Sequence, residues 1–299
     1  MKKLLYIFTV VFAFWGMASC SSEDEEAVSI HDPNAFFAPA DNDDSEEAQI
    51  RRQFKSKYNA YLLFNDTLQK KFNGIDVNGD SVFWVELLSL NYTTAQVSYH
   101  SEKYTYDYLA SLEERKEALA FLEEEILSHI SGKLMPYSWF LCSQINFDDG
   151  STSNHPYAAA GQRAIVIATG LLPRLKTEAQ RKQFINRVLI GMMGQLVANN
   201  ISAFDDFFEV SKGYYGINFT ASSDAVAQNY CRSHGFLDKS SSVWGGYATP
   251  SETADLSTFS TYVLTYDDEY IEKQYVNYPL VLKKWYIFKD VLKSLGYKF

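Results

Sequence analysis

Apolar and polar positions divide the chain into two styles. Up to about residue 170, short apolar runs suggest strands interleaved with a few amphipathic stretches; beyond it, the spacing is mostly helical. EEAQIRRQFKSK predicts a short helix. YNAYLLFND, Tyr58 to Asp66, predicts a buried strand, and SVFWVELLSLNYT, Ser81 to Thr93, a second. LASLEERKEALAFLEEEILSHI, Leu109 to Ile130, places apolar residues at helical spacing opposite a charged face. SWFLCSQINF and QRAIVIATG predict two more strands, around 138–147 and 162–170.

Thr177-Glu178-Ala179-Gln180 has the form of a capping box, in which side chains satisfy amide groups that the first helical turn leaves unpaired. The helix it starts is amphipathic at first, with Phe184, Ile185, Val188 and Leu189 on one side. Arg181, Lys182 and Arg187 lie elsewhere, and from Val188 to Ala198, within RVLIGMMGQLVANN, the helix is apolar all round except for Gln195. Each glycine there costs about 1 kcal/mol relative to alanine. A buried amide without a partner costs on the order of 1–3 kcal/mol. Gly191, Gly194 and Gln195 therefore ask for a reason. Further helices are expected near 201–212, 222–234, 252–264 and 277–295. Strands first and helices later predict an α+β fold, and the absence of repeats or an internal low-complexity linker predicts one domain over 46–299.

Ahead of that body, Lys2 and Lys3 precede the apolar run LLYIFTVVFAFW. Met17-Ala18-Ser19 then leads to Cys20. This order predicts a lipoprotein signal over 1–19, cleaved before a lipidated Cys20. The acidic, proline-containing stretch 20–45 is expected to be a disordered tether. A net charge of −10 and no basic stripe argue against nucleic acid as a partner. The 21 Tyr, 21 Phe and 5 Trp suit a core and strand surfaces, or a stacking platform for sugars. Cys142 and Cys231, the cysteines of the body, either pair or remain two buried thiols.

Motifs for chemistry are sparse. The histidines are His31, His100, His129, His155 and His234, and no two lie within four residues of each other. The chain has no HExxH, CxxC, GxSxG, Walker loop or GxGxxG. The acid pairs Asp148-Asp149, Asp205-Asp206 and Asp267-Asp268 suit loops and helix ends better than glycosidase chemistry.

Several segments in order resemble the substrate-import-associated zinc metallopeptidase lipoproteins of Bacteroidota, a zincin-type family. They are the lipobox ending at Cys20, the acidic SSEDEE behind it, the strand YNAYLLFND, the capped helix after Thr177, and GGYATPSETADLSTFSTYV, Gly245 to Val263. The resemblance spans most of 46–265 and implies a zincin-like α+β fold, with a mixed sheet in the first half and a helix-rich second half. In that family one helix supplies two histidines four apart and a glutamate between them, and a later helix supplies an acidic ligand. Here Gly191, Met192 and Gln195 stand at those first three positions. Asp255 survives in ADLST, and Thr258 stands at the acidic ligand. None of Gly, Met, Gln or Thr offers an imidazole, thiolate or carboxylate. The resemblance thus implies a degenerate cleft with no catalytic residue, no metal and no cofactor. It further implies an outer-membrane, lipid-anchored protein exposed at the cell surface. Its partners would be a TonB-dependent transporter, that transporter's nutrient-binding lipoprotein, and a peptide or glycan ligand. Two alternatives stand beside it: an active metallohydrolase with a displaced site at His155 or His234, and a glycan-binding lipoprotein unrelated to peptidases.

Overall fold

The computed structural model describes residues 37–90, 103–241 and 246–299. Cys20, the signal segment 1–19, the tether up to 36, the last three residues of the strand expected over 81–93, and Gly245 lie outside the described residues. Pro39–Phe299 cluster as one compact unit. It is α+β, as the order of strands and helices implied. Within the stretch read as tether, residues 40–44 form a turn: the Arg52 guanidinium donates to the carbonyls of Ala40 (2.8 Å) and Asp43 (2.7 Å).

Helix α1 (Glu46–Tyr58) begins where the Ser45 hydroxyl accepts from the Ala48 amide. It ends at Asn59, whose φ of 54° turns the chain back. That turn leads into β1 (Tyr61–Leu63), shorter than the expected run because Tyr58 belongs to the helix. A hairpin follows, β2 (Thr67–Ile75) and β3 (Ser81–Leu87), then β4 (Lys103–Asp107). Helix α2 (Leu112–Phe121) starts later than the apolar period suggested. The Ser111 hydroxyl accepts from the Glu114 amide, and the Glu114 carboxylate accepts from the Ala110 amide. It runs on as a π-turn over Leu122–Ile126.

The apolar run at 138–147 is two strands in two sheets. β5 (Ser138–Cys142) is buried throughout, and β6 (Gln144–Asp148) is half-buried. Next come β7 (Ser153–Asn154), β8 (Ala158–Ala160) and β9 (Ala164–Ala168). The main sheet has the order β1-β5-β9-β8. β1, β5 and β9 are parallel, and β8 is an antiparallel edge. SWFLC and AIVIA lack alternation because parallel strands covered on both faces need apolar side chains on both.

Helix α3 (Glu178–Ala198) carries the expected capping box in full: Thr177 accepts from the Gln180 amide while Gln180 accepts from Thr177. The helix expected over 201–212 is a 3₁₀ turn, Ile201–Phe204, followed by the short α4 (Asp205–Glu209). Then come β10 (Asn218–Phe219), α5 (Asp224–Ser233), β11 (Ser240–Ser241), β12 (Tyr247–Ala248) and α6 (Glu252–Thr265). A short helix that periodicity did not reveal, α7 (Asp268–Gln274), precedes α8 (Pro279–Leu295). A single core joins the halves: Leu62, Trp139 and Ile165 of the sheet share it with Met192, Phe259 and Trp285 of the helices.

Candidate functional site

Helix α3 lies against both α6 and the edge strand β8. Its first turns are exposed at Glu178, Ala179, Gln180 and Lys182; beyond them the exposed positions are Gln183, Arg187, Gly191, Gly194 and Ala198, one stripe at three- and four-residue spacing. Phe184, Val188, Leu189, Met192, Met193, Leu196 and Val197 face the core. The segment that reads as apolar all round is thus amphipathic after all. Its solvent face is made of small residues, which hydropathy does not mark as polar.

The two glycines have different surroundings. A Cβ on Gly191 would lie 2.9 Å from the Ala158 carbonyl oxygen and 3.2 Å from the Ala158 side chain. Contacts that short force the backbone to move, so glycine is what lets β8 seat on α3. A Cβ on Gly194 would meet nothing within 4 Å.

The cleft expected from Gly191, Met192, Gln195, Asp255 and Thr258 takes another form. Met192 is wholly buried in the core. Gln195, half-buried, donates to the side-chain oxygen Oδ1 of Asn199 at 2.8 Å, at the C-terminal end of its own helix. Thr258 donates to the Ala254 carbonyl at 2.8 Å, also within its own helix. Helix packing brings α3 and α6 together, but these polar groups are engaged locally rather than across a shared cavity.

Asp255 belongs to a different cluster. Its Oδ2 accepts from Lys284 of α8 in a fully buried ion pair and from the Tyr215 hydroxyl at 3.0 Å. The Lys284 ammonium also donates to the Ser211 hydroxyl (3.1 Å) and to the Tyr215 oxygen (3.0 Å). The Phe207 ring lies 4.1 Å from it and the Phe236 ring 5.0 Å. Burial raises the Asp255 carboxyl above the usual carboxylate range, with Lys284 and Tyr215 acting in the opposite sense. Burial likewise lowers the Lys284 ammonium, opposed by Asp255. Oδ1 of Asp255 has no protein partner. The cluster ties α6, α8 and the 211–215 segment together. Lys284 was invisible as a partner because it lies 29 positions along the chain from Asp255.

The remaining candidates are also placed. His155 is exposed. His234 lies with Nδ1 at 2.8 Å from the Tyr230 carbonyl, and its ring is 4.0 Å from that of Tyr214. Asp149 closes a turn by accepting from the amides of Ser151 (2.9 Å) and Thr152 (2.6 Å). Asp267 caps α7, and Asp205 and Asp206 stand in the first turn of α4. Cys142 and Cys231 are free, buried thiols. Among the described residues, no three His, Cys, Asp or Glu stand together so as to share a metal ion.

A groove of about 630 Å³ runs along the N-terminal half of α3, lined by Ala179, Lys182, Gln183, Asn186, Arg187, Ile190 and Thr265. Its walls are mainly apolar, with side-chain amides, the Lys182 ammonium and the Arg187 guanidinium. A second hollow of about 110 Å³ lies across Arg187, between Tyr157, Leu171, Leu175 and Phe184. Arg187 separates the two and is held in place: it donates to the Tyr157 hydroxyl at 2.9 Å, and its guanidinium carbon lies 5.2 Å from the centre of that ring. This one bond leaves the other guanidinium N–H groups available to a carboxylate or carbonyl. Sequence reasoning missed this pair, which joins residues 30 apart. The arrangement offers apolar contact, amide hydrogen bonds and one fixed cation, which suits binding an extended chain. The chain matches no family model, no curated protein and no solved structure.

Proposed function

We propose that this protein is a lipid-anchored outer-membrane lipoprotein that holds peptides at the cell surface without cutting them, as an accessory of nutrient uptake. The lipobox ending at Cys20 and the acidic run behind it support the address. The resemblance to zinc metallopeptidase lipoproteins, with Gly191, Met192 and Gln195 at its catalytic positions, supports binding without hydrolysis. In this reading a TonB-dependent transporter and its nutrient-binding lipoprotein are the partners.

The observation that carries the ligand class is the α3 groove with Arg187 in its wall. Its volume falls in the range typical of small-ligand sites, and its few polar groups are of the kind that fix orientation. A peptide would lay apolar side chains against Ile190 and the Ala179 end and direct a carboxylate to Arg187. A glycan is the second reading. It draws on Tyr262, Tyr266 and Tyr270 on either side of Thr265, with successive ring centroids 5.1 and 4.4 Å apart.

The test is fluorescence anisotropy of the full chain with labelled peptides that end in a free carboxylate, run beside their C-terminal amides. The expected result is saturable binding to the acids, intact peptide after incubation, and at least about tenfold weaker binding for Arg187→Ala, the scale of a lost charge-assisted contact. Near-stoichiometric zinc in the purified protein, or chelator-sensitive cleavage of the peptides, would overturn it in favour of an active hydrolase. Binding of oligosaccharides that Tyr270→Ala abolishes and Arg187→Ala leaves intact would favour the glycan.

A further inference from the structure

Among the described residues, exposed large hydrophobics gather most densely on the β2–β3 hairpin. It is a sheet of two strands. Opposed residues share a face, and Lys70 opposes Val85, Phe72 opposes Phe83, Ile75 opposes Ser81, and Thr67 opposes Leu87. Phe72, Ile75, Phe83, Val85 and Leu87 therefore stand on one face. They are 61, 67, 43, 44 and 53% exposed. At these exposures, side chains of this size leave roughly 500 Å² of apolar surface, near the upper end of what one patch on a monomer shows. A lone two-stranded hairpin is at best marginally stable in water, and packing on one face is what stabilises it.

We propose that this face is a self-association surface, on which the hairpin of a second copy of this chain packs face to face across a two-fold axis. Two such faces bury on the order of 1,000 Å² in total, the lower bound for a specific interface. Sheets stack about 10 Å apart, a spacing that Phe72 and Phe83 fill from both sides. Charge does not oppose this symmetry. Strand alternation puts Asp76 and Asp80 on the opposite face, and the Asp76 carboxylate accepts from the amides of Asn78 and Asp80 in its own turn, so a face-to-face contact buries no tip carboxylate. The Lys70 ammonium lies 4.4 Å from the centre of the Phe83 ring of its own strand pair. An antiparallel two-fold sets the tip of each copy beside the base of its partner. The net charge of −10 repels a second copy, so the association tightens as salt rises.

Sedimentation equilibrium of the full chain in non-ionic detergent tests this. The expected result is a dimer at micromolar concentration, with a dissociation constant raised at least about tenfold by Phe83→Asp or by Phe72→Asp, the size of effect expected at an interface centre. A chain monomeric up to about 100 µM, or a dimer that neither substitution weakens, would overturn the proposal. A monomeric chain that floats with phosphatidylethanolamine–phosphatidylglycerol vesicles and loses flotation on Phe83→Asp would overturn it in favour of lipid. Val85→Cys decides the matter if the aspartate variants fail to fold. With the Cys20 sulfur blocked by its lipid, a short bis-maleimide is expected to join two Val85→Cys chains, Cys142 and Cys231 being silent because both are wholly buried. Quantitative labelling of the new cysteine without a cross-linked species would overturn the proposal.

Discussion

The α6–α8 core and the β2–β3 hairpin depart from the usual partition of residues in opposite directions. In the core, Asp255 and Lys284 are charged groups taken out of water. In the hairpin, Phe72, Ile75, Phe83, Val85 and Leu87 are apolar groups left in it. The core offsets its cost locally, with an ion pair, two hydroxyls and aromatic rings around one ammonium. Within its own two strands the hairpin offers only the edge-to-face pair Phe72–Phe83 and the Lys70 ammonium over the Phe83 ring, which leave the face largely in water. A buried charge cluster within one chain specifies how its elements pack, whereas an uncovered apolar face points to something outside the chain.

The contrast is broken most directly at Lys284. Lys284→Ala leaves the Asp255 carboxylate buried without its cation and is expected to cost about 3–5 kcal/mol. The double variant Asp255→Asn, Lys284→Met removes both charges and is expected to recover most of that loss. Urea midpoints compare the two, and a loss below about 1 kcal/mol for Lys284→Ala would mean the pair does not hold α6 to α8.

The glycines of α3 give the next effect, with opposite signs. Gly191→Ala presses a methyl group into the Ala158 carbonyl and is expected to destabilise by about 1–3 kcal/mol in spite of better helix propensity. Gly194→Ala meets open space and is expected to stabilise by about 0.5–1 kcal/mol. Thermal melts of the two variants check the pair; equal shifts would refute the close approach of β8.

The smallest change in fold stability is expected at the hairpin. Phe83→Asp, at concentrations where the chain is monomeric, should shift the unfolding free energy by less than about 0.5 kcal/mol, as exposed positions do. A large loss there would show that the face is covered within the chain and would remove the contrast with the core. The body thiols provide a last check on burial. Burial, with Asp238 nearby, pushes the Cys231 thiol up to about 11, and burial pushes Cys142 higher still. A thiolate reagent at pH 8 should label neither in the native chain and both after denaturation.

Much of the architecture was legible in the order of residues. The capping box at Thr177, the buried strands SWFLC and AIVIA, and the amphipathic helix after Leu112 follow from local rules that hold wherever the segment sits. Strand β2 was missed although Asn78-Gly79 marks a tight turn between two alternating runs; its apolar residues are diluted by Lys70, Lys71 and Asn73. The site was less legible. Asp255 was singled out for its position in a motif, but its chemistry depends on Lys284, Tyr215 and Ser211, all distant in the chain. Arg187 was read only as part of a polar face, and Tyr157 gives it its orientation.

By itself the sequence determined most of the longer segments, the capping box at Thr177, the α+β order and the lack of imidazole or carboxylate at 191, 192 and 195. Those properties depend on neighbours a few residues apart. Tertiary structure alone decided that Gly191 is a packing glycine and Gly194 is not, that Asp255 is half of a buried ion pair, and that the hairpin leaves one apolar face to water. Each depends on which distant backbone or side chain arrives at the position, and that is set by the packing of the whole core.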